Sequence, residues 1–578
     1  MPHGIGMLIS LQTLPEFVVG ENNTRCSSSS SNIIGELKDL KHLKGQLHIS
    51  KLENISVARD AKEAYLDNKE CLRKLELVWS DKGSGNERTL EIIEGLQPHS
   101  NLEDLNISCY PGSRFPSWIK MLSNLQILQL CECKQLNALP PLGRLPLLKY
   151  LWIKGMSNIK HVGPEFCGQE FQSLEVLKLI SNTEWEEWCF EGGVDDQEQQ
   201  DTKCLQFFPS IGSLTIQNCP KLRRLPSYRF ASLLSLNIAD CNELTSPPRH
   251  GNFSYGESLS TSATAIGYQE FPFLRYLTIT NCPKLRELPE HLPFLVSLHL
   301  EQCQELVAVP WVPSLCHLDL LEINNSILFA RLPKLSALSY LWILGICLVQ
   351  DFLQMLTSLE NLHIKSCSGL GNKIMDLHYI VSLRHFEIEN CHDVKSMTLP
   401  PKLQTLSVTA CQSLEFFPTM IHNLTCLTHL TISQCSGFTS SPAVDGVRGL
   451  WPASLEFLCL KDFSNLDLPS RFWWLHNLTS LQTLIIVGCS SLKHFPNGLL
   501  PTLKRLCISD CKNLESLPEQ MNLFTSLGHL SINKCSRLVT FPSGGLPKKL
   551  EKMQIGGCGD NLDMLPKCPG LSKLTSLE

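Results

Sequence analysis

The sequence predicts an α/β solenoid: short parallel strands line a concave face, joined on the convex side by segments that are irregular or only briefly helical. Three observations carry this. A phrase of leucine, two residues, leucine, one residue, an aliphatic, two residues and cysteine recurs along the chain, clearest from Leu274 to Cys282 and from Leu503 to Cys511. The copies follow one another mostly at 20 to 28 residues, with wide gaps from Leu174 to Ile211 and from Leu233 to Leu274. The stretch after each cysteine often closes on Leu-Pro, as at Leu288-Pro289 and Leu517-Pro518, and is too short and proline-rich for a long helix.

A unit written L-x-x-L-x-L-x-x-N/C-x-L is the leucine-rich repeat, so the coil is expected to be a leucine-rich-repeat horseshoe. Within Leu-x-Leu a strand alternates, so the leucines point into the coil and the residue between them points out onto the concave face. Repeats are expected to open at Leu72, Leu102, Leu125, Leu148, Leu174, Ile211, Leu233, Leu274, Leu295, Leu315, Leu338, Leu359, Leu383, Leu403, Leu427, Leu455, Leu481, Leu503, Leu527 and Leu550, with degenerate units before them at Leu11 to Phe17 and Leu43 to Leu52. Stacked at about 4.8 Å, roughly twenty strands make a ribbon on the order of 95 Å long, a surface for a protein rather than a metabolite.

Residues 1–100 read as degenerate N-terminal repeats with a helix near 57–70, and residues 101–578 as regular repeats with loop insertions near 183–208 and 247–269. The helix is expected from about Val57 to Glu70, where good helix formers follow Ser56 as N-cap. The first insertion holds Glu184-Trp-Glu-Glu-Trp188 and then Asp195 to Asp201, an acidic stretch expected to stay solvated. The second, rich in Ser, Gly and Thr, is expected to be disordered, and the serine run Ser27 to Ser31 marks a third loop.

Formal net charge is only −6 over 578 residues and basic residues are not clustered. There is no electrostatic footprint for a phosphate backbone or an anionic membrane, and nucleic acid is not expected as a partner. Of 26 cysteines, Cys133, Cys219, Cys241, Cys282, Cys303, Cys367, Cys391, Cys411, Cys435, Cys489, Cys511, Cys535 and Cys558 share one slot of the repeat. There a small apolar group with a weak S–H donor suits a buried bend beside backbone carbonyls, so reduced buried thiols are expected rather than disulfides or metal ligands. The stretch Met1 to Ser10 lacks the features of a secretory signal, and no run of about 18 apolar residues suggests a membrane span. Free thiols without an export signal point to the cytoplasm.

No phosphate-binding G-x-x-x-x-G-K-S/T, no H-E-x-x-H and no serine elbow occurs, so no catalytic, cofactor or metal residue is assigned and the chain is read as non-enzymatic. The repeat geometry makes lateral neighbours of Thr278, His299, Asp319, Trp342, His363, Glu387 and Ser407. Beside them run Ser297, His317, Tyr340, Asn361 and His385, and on the other flank Glu301, Leu321, Leu344, Lys365 and Glu389. Acids and histidines this close could form a metal site or an acid/base pair, but an open ribbon has no wall to exclude water. The preferred reading is a protein-contact patch of His299, Asp319, Tyr340, Trp342, His363, His385 and Glu387, with Tyr150 and Trp152 as a second patch near Lys154 and Lys178. The competing reading is an exposed face with no dedicated partner. His299 beside Asp319, and His363 beside Glu387, would make binding there sensitive to pH.

More specific than the repeat are Ser10-Leu-Gln-Thr-Leu-Pro-Glu-Phe-Val-Val-Gly20, Ile34-Gly-Glu-Leu-Lys-Asp-Leu40, Leu43 to Asn54, Ala61 to Trp79, Leu96-Gln-Pro-His-Ser-Asn-Leu102 and Trp185-Glu-Glu-Trp188. With these phrases the chain resembles the repeat domain of plant intracellular nucleotide-binding leucine-rich-repeat resistance proteins of the coiled-coil class. The resemblance implies a sensor of pathogen effectors, direct or through a guarded host protein, whose repeats restrain the nucleotide-binding module of the parent protein. The coiled-coil and nucleotide-binding modules are absent from this sequence, so it resembles a truncated product expected to bind neither ATP nor ADP. The alternatives are a ubiquitin-ligase substrate adaptor, a generic interaction scaffold or an extracellular receptor ectodomain. Of these, the adaptor would need a ligase-docking module, and the ectodomain a signal peptide with capping disulfides.

Overall fold

Each expected repeat opening becomes a strand. In the computed structural model, which describes residues 4–20, 33–81, 87–168, 170–188, 208–225, 230–245, 271–323, 328, 331–347, 350–369, 374–414, 421, 423–435, 451–462, 478–495, 500–538, 542, 544–558 and 576–577, a five-residue strand begins two residues after every leading aliphatic from Leu102 to Leu550. The chain forms two compact units, Met1–Leu315 and Cys316–Glu578. Both are parallel-sheet solenoids. The boundary at residue 100, read from repeat regularity, is distinct from this division, and we keep it as a proposal about the first unit's internal organisation.

The first unit carries β1 (Glu16–Val18), β2 (Gly45–Ser50), β3 (Leu72–Val78), β4 (Asp104–Ser108), β5 (Ile127–Cys131), β6 (Tyr150–Lys154), β7 (His161–Val162), β8 (Val176–Ile180), β9 (Glu187–Trp188), β10 (Ser213–Gln217), β11 (Ser235–Ala239), β12 (Tyr276–Thr280) and β13 (Ser297–Glu301). Strands pair in chain order, all parallel, except that β7 and β9 leave the main sheet to pair with each other. The second unit carries β14 (His317–Leu321), β15 (Tyr340–Leu344), β16 (Asn361–Lys365), β17 (Met375–Asp376), β18 (His385–Glu389), β19 (Met397–Thr398), β20 (Thr405–Thr409), β21 (His429–Ser433), β22 (Phe457–Lys461), β23 (Thr483–Val487), β24 (Arg505–Ser509), β25 (His529–Asn533), β26 (Lys552–Gly556) and β27 (Ser576–Leu577). Again the order is sequential and parallel, with β17 and β19 forming a side pair.

Register is constant because every repeat offers the same pair of inward aliphatics: Leu277 faces Leu298 and Ile279 faces Leu300, as Leu484 faces Leu506 and Ile486 faces Ile508. A slip by one residue would turn the whole pair outward, so the leucines enforce the alignment. These side chains are essentially fully buried, each contributing about 1.5–3 kcal/mol. A second apolar row lies behind the sheet. Phe171, Phe208, Phe230 and Phe271, each three residues before a leading aliphatic, stack ring on ring with centroids 5.2, 6.0 and 5.6 Å apart.

Every main-sheet strand from β4 to β26 is followed by one residue in the left-handed region. Besides Gly155, Gly345, Gly488 and Gly557, the position is held by Cys109, Glu132, Ser181, Asn218, Asp240, Asn281, Gln302, Glu322, Ser366, Asn390, Ala410, Gln434, Asp462, Asp510 and Lys534, with φ between 50° and 56°. That bend points the next residue inward, and it is the cysteine slot. Twelve of the thirteen cysteines are buried and Cys558 is half-buried. All thirteen thiols donate to the carbonyl two residues back at 3.2 to 3.7 Å. Several also lie within 3.6 to 4.0 Å of a strand carbonyl one repeat earlier. Burial pushes the thiols of Cys133, Cys219, Cys303 and Cys411 up to about 12. Asn182 holds the same slot after β8 and accepts from the Met156 amide at 3.0 Å.

Among the described residues helices are few: α1 (Ala58–Lys62), α2 (Glu87–Gly95), α3 (Pro164–Cys167) and α4 (Gln350–Gln354). The helix expected over 57–70 is shorter than its composition suggests. It stops at Lys62, Tyr65 turns left-handed at φ 45°, and a 3₁₀ turn spans Leu66–Asn68. The break lets Lys69 plunge inward, fully buried, donating to the carbonyls of Leu37 at 2.7 Å and Leu40 at 3.1 Å. The opening of the first insertion also departs from expectation. Trp185 and Trp188 are buried, their rings 5.4 Å apart, and Glu187–Trp188 forms β9, because the two indoles cover apolar surface that the acidic neighbours leave open. The remainder of that insertion, the insertion at 247–269 and the serine run lie outside the described residues.

Candidate functional site

The alternation that buries the leucines delivers the intervening residues to the open face of each sheet, half-exposed, at positions 1, 3 and 5 of the strand. In the second unit this assembles most of the patch read from the sequence. Asp319, Trp342, His363 and Glu387 stand side by side in register on β14, β15, β16 and β18. One row over, the rings of His317 and Tyr340 stack face to face, with centroids 4.1 Å apart and planes within 5°. The Tyr340 and His363 rings follow at 5.3 Å.

Carboxylates fix the imidazoles. His317 Nε2 lies 3.0 Å from Asp319 Oδ1, and His363 Nδ1 is hydrogen-bonded to Glu387 Oε2 at 3.0 Å. Asp319 is itself buried beneath the rings. Burial, reinforced by Asp319 and Glu387, raises the Tyr340 hydroxyl above its ordinary range, so it remains a protonated donor at neutral pH. Lys365 pairs with Glu389 at 3.0 Å on the flank, and His385 stands on β18 in register with Asn361 and Thr405. The result is a flat aromatic slab edged with charged groups already oriented by one another. It is open to solvent and offers donors, acceptors and π faces without enclosing a reactant, an arrangement suited to holding a protein surface.

In the first unit, His299 on β13 lies 3.6 Å from Glu301 two residues along the same strand. Tyr150 and Trp152 on β6 are both more than a third exposed, and Lys178 on β8 sits 4.8 Å above the Trp152 ring. Sequence reasoning passed over a third group nearer the N-terminus. His48 on β2 bonds Glu76 on β3 at 2.8 Å, and Lys74 bridges Glu76 at 3.0 Å and Asp104 on β4 at 3.5 Å. Burial drives the Asp104 carboxyl up, with Lys74 opposing. Glu76, which burial would also raise, is held below the ordinary carboxylate range by hydrogen bonds from His48 and Lys74. The signal was available: the residues between inward aliphatics in Leu47-His-Ile49 and Leu75-Glu-Leu77 follow the rule used elsewhere. The irregular spacing of those repeats hid it.

Among the described residues no group of three or more His, Cys, Asp or Glu is placed to hold a metal ion, and no helix is long and apolar enough to cross a membrane.

Comparison with known proteins agrees with the fold. Residues 34–156 match the family of R13L1/DRL21 leucine-rich repeats. The chain is similar to a disease resistance protein of Arabidopsis thaliana, at 28% identity over 98% of this chain and 42% of that protein. It is similar to the disease resistance RPP13-like protein 1 of Arabidopsis thaliana, at 33% identity over 49% of this chain and 29% of that protein. It is also similar to the disease resistance protein RGA1 of Solanum bulbocastanum, at 30% identity over 50% of this chain and 28% of that protein. The chain therefore spans less than half the length of these curated relatives.

Proposed function

We propose that this chain, a leucine-rich-repeat solenoid similar over nearly its whole length to a plant disease resistance protein, is the repeat domain of a nucleotide-binding resistance protein and a non-enzymatic recognition module of plant innate immunity. It senses a pathogen effector, directly or through a guarded host protein, and regulates the nucleotide-binding switch of the longer protein from which such domains come. The observation that carries the recognition role is the slab of His317, Tyr340 and His363 with Asp319 and Glu387 locked against it. Side chains ordered before binding lose little further entropy when a partner docks, and aromatic anchors beside desolvated charges are what contact hot spots are made of. The preference for a cytoplasmic location rests on the reduced thiols.

The test is binding of candidate effectors, and of the nucleotide-binding modules of related resistance proteins, to the chain and to its Trp342→Ala and His363→Ala variants. Each substitution is expected to weaken one such complex by about tenfold or more. Both variants binding every candidate as the parent does would retire the assignment of this patch.

A further inference from the structure

Polarity changes along the open face of the second unit. Over β14 to β18 it carries Asp319, Glu387 and Glu389. From β20 to β26 the face positions include no carboxylate at all. They are Thr405, Ser407 and Thr409, then His429, Thr431 and Ser433, then Phe457, Cys459 and Lys461, then Thr483, Ile485 and Val487, and on the last three strands Arg505, His529 and Lys552 with small or amide residues beside them. Parallel register places Arg505, His529 and Lys552 next to one another on β24, β25 and β26. Arg505 and Lys552 are exposed, and among the described residues neither makes an ion pair. Lys504, Lys548 and Lys549 are exposed close by in the chain, as are Glu456 and Glu551, which precede β22 and β26 and lie off the face positions. The acids at the strand ends point to other partners: Asp462 accepts from Gln434 at 3.2 Å, and Asp510 lies 3.9 Å from Lys512.

Beside the cationic row the floor is apolar. Ile485 and Cys507 are half-buried neighbours, Cys459 is buried, and the Phe457 ring stacks on His429 at 5.6 Å. His529, squeezed between two cations, shows the local field directly: burial, then Arg505 and Lys552, press its pKa below the ordinary histidine value. Two cations hold the imidazole between them neutral, and with no carboxylate at the face positions of β20 to β26 their charge is left for an anion to meet.

We infer that the open face of β22 to β26 is a docking surface for an acidic segment of a protein partner, whose carboxylates lie along Arg505, His529 and Lys552 and whose apolar side chain rests on Phe457, Ile485 and Cys507. This surface is separate from the Tyr340 slab and does not depend on a role in defence. Charge complementarity selects the occupant: Arg505 and Lys552 stand two strands apart, on the order of 9.6 Å, so an extended chain crossing the strands can set one carboxylate on each, with the neutral His529 ring between them as a hydrogen-bond donor. The apolar floor favours a peptide over a nucleic-acid backbone.

The experiment uses the full chain and a fluorescently labelled peptide of glutamates around a single phenylalanine, with a matching glutamine peptide and a single-stranded oligonucleotide as rivals. The glutamate peptide is expected to bind about tenfold more tightly than the glutamine peptide, and to weaken as salt is raised through about 0.15 M. The double reversal Arg505→Glu with Lys552→Glu should cost about tenfold, whereas Lys41→Glu with Lys120→Glu, an equal change of net charge in the first unit, should cost nothing. If the reversal does not fold, Arg505→Gln with Lys552→Gln replaces it, with the same direction expected. Equal binding of the two peptides, an equal loss from both charge reversals, or tighter binding of the oligonucleotide would each overturn the inference.

Discussion

Lys69 sits where an aliphatic would ordinarily serve, fully buried with its ammonium on two backbone carbonyls. Burial lowers its pKa to about 8, with Asp39 and Asp67 resisting. Between about pH 8 and the unfolded value of 10.5 the unfolded chain therefore holds the proton that the folded chain has released, so stability rises with pH across that window and is flat below it. Relative to Lys69→Met, the parent should gain on the order of 3 kcal/mol between pH 7 and pH 10.5 in chemical denaturation; parallel curves for the two proteins would contradict this. Ala410 presents the opposite situation, an ordinary residue held at φ 53° with no polar side chain to ease it. Ala410→Gly should stabilise the chain by about 1 kcal/mol, seen as a higher denaturant midpoint at unchanged slope. Neither residue was legible in advance: Lys69 fell within the helix expected from about Val57 to Glu70, and a left-handed bend leaves no mark when Glu, Gln, Asp and Ala all serve.

At the scale of elements, the main-sheet strands from β3 to β26 were legible because two buried aliphatics at fixed spacing admit one register and one direction of the intervening side chain, whereas the side pairs β7–β9 and β17–β19 were not. Helices were not. Composition from Val57 to Glu70 favours a helix, but the chain must return to the sheet at Leu72, and the left-handed Tyr65 shows tertiary demand overriding propensity. The tryptophans of Glu184–Trp188 were assigned to a loop because acidic neighbours masked them; aromatic burial outweighs the solvation of charges that can stay at the surface. The phenylalanine row was equally readable, three residues before each of four leading aliphatics. Phe230, packed between two other rings, should cost about 3 to 5 kcal/mol when replaced by alanine. Phe208→Ala combined with Phe230→Ala should cost less than the sum of the single losses, because the two share one contact. Strict additivity in a double-mutant cycle would show the rings to be independent.

For the molecule as a whole, the repeat specifies a scaffold and leaves the open face free to vary, so a candidate site emerges only as a choice among exposed residues. The His363–Glu387 contact was visible from register alone; the stacking of His317 on Tyr340 was not, since ring orientation depends on neighbours three strands wide. The thiols give a global test. Native protein treated with a maleimide should label quickly at exposed Cys71, Cys347 and Cys426, while Cys133, Cys219, Cys303 and Cys411, buried and with their thiols pushed up to about 12, should react only after unfolding. Rapid native labelling at Cys303 or Cys411 would contradict the packing. The same slot sets how the coil behaves as a material. A hydroxyl donor would demand a separation near 2.8 Å, whereas the sulfur contacts that reach from one turn to the last span 3.6 to 4.0 Å. Within each unit the slot thus couples adjacent turns more loosely than the backbone hydrogen bonds of the sheet do, so a small change in the distance between turns costs little at this position while the leucines stay dry.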